Sequence, residues 1–179
     1  DTDGLVTPNA TTNEHAEKYA VRTADPENLK ASDEFFAKFV EEIHKRGMRI
    51  ILDGVFNHTG DDSIYFNKYG NYDSVGAYNS KDSEYSPWFT FNGDGTYKSW
   101  WGIDTLPETN EENDEYIEFI TGKNGILEKW LNLGAGGYRL DVADELPDKF
   151  IDALYAMAAA QKKIENYQLD EILFHERYK

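Results

Sequence analysis

Apolar residues recur at helical spacing at Phe35, Phe36, Phe39, Val40 and Ile43, and Lys45, Arg46 and Gly47 supply a basic last turn and a stop. Ser32 is a good N-cap, so the pattern predicts a helix starting there. Residues 1–31, polar and punctuated by Pro8, Asn9, Pro26 and Asn28, read as loop. The period then changes: Ile50, Ile51 and Leu52 form a short continuous apolar run suited to a buried strand, with Asp53 at its far end. From 59 to 109 neither period holds. Gly, Asn, Asp and Ser alternate with Tyr65, Phe66, Tyr69, Tyr78, Trp88, Phe89, Trp100 and Trp101, which predicts a long irregular insertion, since a linker would not carry so many rings.

Helical spacing returns at Tyr116, Ile117 and Ile120, and again at Ile126, Leu127, Trp130 and Leu131, where "GAGG" ends it. "GYRLDV" predicts a second strand. Pro147 then opens a helix that uses Phe150, Ile151, Leu154, Tyr155 and Ala158, and "DEILFHERYK" holds residues for one more short strand. Helix, strand, insertion, helix, strand, helix is the order of an α/β fold with a parallel sheet and right-handed crossovers. It divides the chain into segments 1–58, 59–109 and 110–179.

The chain has 179 residues, enough for one domain with a core and fewer than the roughly 250 typical of a closed eight-stranded α/β barrel. Asp and Glu outnumber Lys and Arg 34 to 18, and the net charge of −16 repels phosphate backbones and anionic bilayers, so neither nucleic acid nor membrane is an expected partner. Without cysteine, a disulfide framework and a thiolate metal site are both excluded. No apolar run approaches the ~20 residues of a membrane span, and "DTDGLVTPNA" has no signal-peptide pattern, which leaves the compartment open.

Alternate strand residues share a face, so Arg139 and Asp141 point one way and Tyr138, Leu140 and Val142 the other. The apolar set faces covering helices; the charged set enters a sheet interior or cavity, where a carboxylate needs a partner. A guanidinium favours the ionised form of a neighbouring carboxylate, and an ionised, positioned carboxylate is what a nucleophile requires. On spacing alone, a purely structural ion pair is an equal reading. Asp53, Asn57 and His58 lie just past the other strand's carboxyl end, where parallel α/β folds collect ligand contacts, although such residues are also common in turns. A metal-dependent hydrolase built on Asp53, Asn57, His58 and Asp141 is a third reading. Trp88, Trp100 and Trp101 offer faces on which sugars stack, and packing inside the insertion explains most such rings equally well.

Taken together, "DGVFNH" and "GYRLDVADE" resemble the first two sequence signatures of the α-amylase family of glycoside hydrolases, and "WWGIDTLPETN" resembles the segment closing that family's inserted domain. "FNKYGNYDSVGAY" and "GIDTLPETN" resemble its neopullulanase and cyclomaltodextrinase branch. The resemblance covers residues 33–150. It implies an α/β fold, a partial (β/α)8 TIM barrel carrying the third and fourth strand-helix units and an inserted subdomain, with the last stretch as a fifth strand. It implies retaining hydrolysis of α-glucans such as maltooligosaccharides, cyclodextrins, pullulan or starch.

By resemblance, Asp141 matches the catalytic nucleophile and Arg139 the arginine that keeps it charged. Asp53 matches a structural aspartate near the site, His58 a sugar contact and Glu145 a substrate contact. Asn57 matches an asparagine that organises the loop or a structural calcium ion, and the chemistry itself needs no cofactor. The third signature, usually Gly-Glu-x-Trp, falls on "ILFHERYK", making Glu176 the acid, with His175 where the family has glycine. The fourth signature and the first two barrel strands have no counterpart. Unpaired sheet edges are therefore expected to be covered by the remainder of a longer parent chain or by a partner. The alternative function is a non-catalytic α-glucan-binding or scaffolding remnant.

Overall fold

The structure is a computed structural model that describes residues 24–165 and 173–175. Helix α1 (Pro26–Lys45) begins six residues before the expected Ser32 start. The reason is local: the Asp25 carboxylate accepts from the Asn28 backbone N–H at 2.9 Å, and Pro26 takes the first helical position, where its fixed φ fits and its missing N–H is not needed. Ser32 lies inside the helix. At the other end Gly47 adopts φ +71° and its N–H returns to the His44 carbonyl at 2.9 Å, turning the chain into the first strand.

Among the described residues three parallel strands follow in the order β1 (Ile51–Gly54), β2 (Gly137–Leu140), β3 (Leu173–His175). The register pairs Asp53 with Arg139 and Leu140 with His175. Between β1 and β2 lie helices α2 (Asp114–Thr121), capped by Asn113, and α3 (Ile126–Asn132); α4 (Asp148–Glu165) follows β2. Tyr138 and Leu140 bury one face of β2 in a cluster with Leu127 and Leu131 of α3, Phe150 and Leu154 of α4, and Phe56. Phe150 is fully buried, its ring near-parallel to Tyr116 at 6.0 Å and edge-on to Phe56 at 5.9 Å. This half of the pattern agrees with the alternation read from the sequence.

Two further expectations are corrected. The first apolar run does not form a strand buried on both faces: β1 is paired on one side only among the described residues, and Ile51 stays 40% exposed, as do Phe35, Phe39, Met48 and Val55 nearby in sequence to a similar or greater degree. The second strand stops at Leu140 and does not reach Val142, which takes φ +42° and throws the chain into a turn. Asp141 is thus the first residue beyond the ladder, with its N–H on the Gly54 carbonyl at 3.1 Å.

The segment from 55 to 113 holds two 3-10 turns, Ser86–Trp88 and Trp100–Gly102, and four isolated bridges. Rings hold it together. Phe66 is fully buried against Phe89, Phe91, Tyr78 and Tyr97 at centroid distances of 4.7–5.9 Å, and Trp88 packs among Tyr65, Tyr85, Tyr116 and Phe119. Asn67, buried at φ +50°, ties the turn by donating to the Tyr72 and Ser74 carbonyls and accepting from the Tyr72 N–H. Gly76 passes so close that an added Cβ would lie 2.6 Å from the Phe66 carbonyl oxygen. Among the described residues, no helix is long and apolar enough to cross a membrane.

Phe150→Ala removes the ring on which the sheet, α2 and α4 converge. We expect a loss of about 3–5 kcal/mol, read as a lowered urea midpoint at unchanged slope.

Candidate active site

One guanidinium joins the two strand ends. Because Asp53 and Arg139 are register partners, their side chains emerge on the same face, and Arg139 Nη1 donates to Asp53 Oδ1 at 2.9 Å and to Asp141 Oδ1 at 2.7 Å. The Asp53 hydrogen bond, followed by that from Asp141, raises the Arg139 pKa further above its ordinary value, so the cation is permanent. The trio is not enclosed as the sequence suggested: the side chains of Arg139, Asp141 and Asp53 are 36%, 25% and 59% exposed. An ion pair that open to water adds little to stability. Its effect is directional, since it fixes where the Asp141 carboxylate points.

Gly54 makes this crossing of strand ends feasible. A Cβ there would fall 2.6 Å from the Phe56 ring and 3.2 Å from the Arg139 carbonyl oxygen. Its own carbonyl accepts the Asp141 N–H, so the glycine sits directly against the backbone that carries both charged residues.

His58 is aimed from behind by Asn57. The buried Asn57 amide donates to Glu111 Oε1 at 3.2 Å, which leaves its Oδ1, 3.3 Å from His58 Nδ1, to accept from that ring nitrogen. The proton is therefore assigned to Nδ1, and Nε2 is the free acceptor. Burial lowers the His58 pKa, and Asp141, Glu145 and Glu108 oppose that shift, which also places all three carboxylates within electrostatic reach of the ring. Trp100 stacks on the imidazole at 5.0 Å and 19°. Trp101 stacks in turn on Trp100 at 5.1 Å and 24°. Trp101 Nε1 donates to Glu145 Oε1 at 3.1 Å, so Glu145, expected as a substrate contact, first of all orients an indole.

Glu111 lies in the acidic run "NEENDEY", where nothing local distinguishes it from a solvated carboxylate. It is buried because the chain is folded inward just before it: Thr109 N–H donates to the Asn57 carbonyl at 2.9 Å and Thr109 pairs with Phe89. Around it, the hydroxyls of Thr109 and Tyr116 both donate to the Phe56 carbonyl, at 2.6 and 2.7 Å, and Thr109 Oγ1 lies 3.3 Å from Glu111 Oε1. Burial pushes the Glu111 carboxyl up to about 7. Just upstream, Pro107 of "LPET" is also fully buried.

A calcium ion does not fit what surrounds Asn57. Its amide is committed at both ends, and among the described residues no three His, Asp or Glu groups are gathered to hold a metal. Asp53 and Asp141, the acids in the metal-hydrolase reading, are instead taken by Arg139. Glu176, the expected acid, lies outside the described residues. Of the three tryptophans weighed as sugar platforms, Trp88 is core, Trp100 is sandwiched between rings, and Trp101 is 79% exposed.

The family described as "Alpha amylase, catalytic domain" matches residues 31–171. The amylopullulanase of Thermoanaerobacterium saccharolyticum is 46% identical over 134 residues, which are 64% of this chain and 10% of that protein. Neopullulanase 2 of Thermoactinomyces vulgaris is 31% identical over 123 residues, covering 64% of this chain and 19% of that protein. The chain thus spans a fifth or less of these two relatives. Among solved structures, the type III pullulan hydrolase of Thermococcus kodakarensis superposes with a TM-score of 0.61 at 28% identity, over 81% of this chain and 24% of that one. The cyclic α-maltosyl-(1→6)-maltose hydrolase of Arthrobacter globiformis, in complex with maltose, gives 0.66 at 25% identity, over 82% of this chain and 31% of that one.

The raised Glu111 pKa makes stability depend on pH. The folded state keeps a proton that the unfolded chain has lost above its ordinary carboxylate range, so this contribution is full below about 4.5 and disappears as pH rises through about 7. The unfolding free energy followed by thermal melts should fall across that window by an amount on the order of 3 kcal/mol, and Glu111→Gln should flatten the profile.

Proposed function

The chain belongs to the alpha-amylase catalytic-domain family of glycoside hydrolases, and from that premise we propose that it carries the nucleophile of a retaining α-glucan hydrolase. The family's fold is a (β/α)8 barrel. On our reading β1 and β2 with their helices are its third and fourth units, β3 the start of the fifth, and residues 59–109 the inserted subdomain. The other strands come from the rest of a longer chain and cover the open edges of the sheet. The substrates are α-glucans: the relatives are named for pullulan and the solved neighbours for pullulan and maltosyl sugars.

The observation that carries this reading is the Arg139 fork, which holds Asp141 past a strand end within electrostatic reach of the stacked His58. In the first step an Asp141 carboxylate oxygen attacks the anomeric carbon, and the bond from that carbon to the leaving oxygen breaks as an acid protonates it. Water then releases the sugar from the carboxyl ester, giving its proton to the same acid, now acting as base. His58 Nε2 accepts a sugar hydroxyl and locates the ring at the cleaved bond.

Glu176 is our choice for the acid. What supports it is chain register: Asp141 and Glu176 are each the next residue after the paired Leu140 and His175. Retention requires a second carboxyl roughly 5–5.5 Å from that of Asp141. A calcium ion enters no step.

In the longer enzyme, Asp141→Asn should lower kcat on maltooligosaccharides or pullulan by on the order of 10⁴-fold. Proton NMR of the wild-type reaction should show the α-anomer released first. Persistent turnover in the variant, or first release of the β-anomer, would sink the reading.

A further inference from the structure

Trp101 is a large apolar side chain in an unfavourable place twice over. Its indole is 79% exposed, and its backbone sits at φ +52°, ψ +24°, a left-handed conformation that a bulky residue seldom takes. Core packing accounts for neither feature, because one ring face rests on Trp100 and the other meets solvent. The ring is nevertheless held still. The 3-10 turn fixes its backbone, with Ile103 N–H on the Trp100 carbonyl at 3.0 Å and Gly102 N–H on the Ser99 carbonyl at 3.1 Å. The indole N–H is tied to Glu145, forty-four residues further along the chain.

The position of the ring gives the arrangement its meaning. His58, Trp100 and Trp101 form one continuous stack, so the exposed face of Trp101 lies two ring spacings outward from the imidazole assigned to the cleaved sugar. A glucose ring presents a face of C–H groups that packs on an aromatic face, while its hydroxyls stay solvated or meet carboxylates. Glu145, which accepts the indole N–H, and Glu108, which pairs with His58 across an isolated bridge, stand near the same rim.

We propose that Trp101, angled by Glu145, is a stacking platform for a glucose residue remote from the cleaved bond, and that it makes the site favour longer α-glucans over short ones. Trp101 and Glu145 act here as binding and positioning groups, and neither touches the reacting atoms. The inference rests on the function proposed above.

The test is made in the longer enzyme with maltotriose through maltohexaose. Trp101→Ala should lower kcat/KM for maltohexaose about ten-fold more than for maltotriose, mainly through KM, and Trp101→Phe should restore most of the difference. Trp101→Gly, which suits the left-handed backbone, should reproduce the alanine result without a fall in Tm and so separates binding from folding. Glu145→Ala should shift the length dependence in the same direction by less. On an Asp141→Asn background, quenching of tryptophan fluorescence by maltohexaose should be lost with Trp101→Gly. An equal fall at every length, or an unaltered length profile, overturns the platform while leaving the hydrolase reading intact. Full turnover by Asp141→Asn alone would overturn the hydrolase reading, and the platform with it.

Discussion

The pairing of β1 with β2 in parallel register is the constraint on which the rest depends. It sets Asp53 opposite Arg139, and from that single alignment the guanidinium can reach one carboxylate on its neighbour strand and another two residues along its own. A slip of one residue would turn every side chain to the opposite face and disperse the trio. The register is itself secured by packing on the other face, where Tyr138 and Leu140 are buried against the helices. The apolar side of the strand thus fixes the geometry of the charged side.

The insertion depends on the same strand end. It leaves β1 through Phe56, Asn57 and His58 and returns to them through Glu108, Thr109 and Glu111, so its two ends are fastened to each other next to the site. One ring cluster centres on Phe66, and a second joins Trp88 and Tyr65 to Tyr116 and Phe119 of α2. The orientation of His58 is in this way a product of two packing problems solved together, one in the sheet and one in the insertion.

Much of this was legible in the sequence because it follows from period and local chemistry. The amphipathic spacing of Phe150, Leu154 and Ala158, the alternation in "GYRLDV" and the ring-rich, period-free middle each correspond to an element. What was missed depends on contacts between distant residues. Asp25 and Pro26 form a cap signature, but the polar residues after them hid the first turns of α1. Glu111 sits in an acidic run indistinguishable from a solvated one until Thr109 draws it toward Asn57. The degree of exposure of Arg139 and Ile51 could not be read locally at all, since burial on a strand is decided by what lies across it. The Arg139–Asp141 pair could be read from strand alternation, whereas the roles given to Asp53, Asn57, His58, Glu145 and Glu176 came from resemblance.

Val142 is a β-branched residue held at φ +42° directly after Asp141. Glycine would occupy that conformation freely, whereas valine enters a narrow well at a cost on the order of 1–3 kcal/mol. The narrowness has a use, because a residue with few alternatives cannot let the turn drift. The direction of the Asp141 side chain is accordingly fixed from two independent sources, a guanidinium that pulls on its carboxylate and a stiff hinge that restrains its backbone. The hinge is steric, so salt, which screens the first, leaves the second untouched.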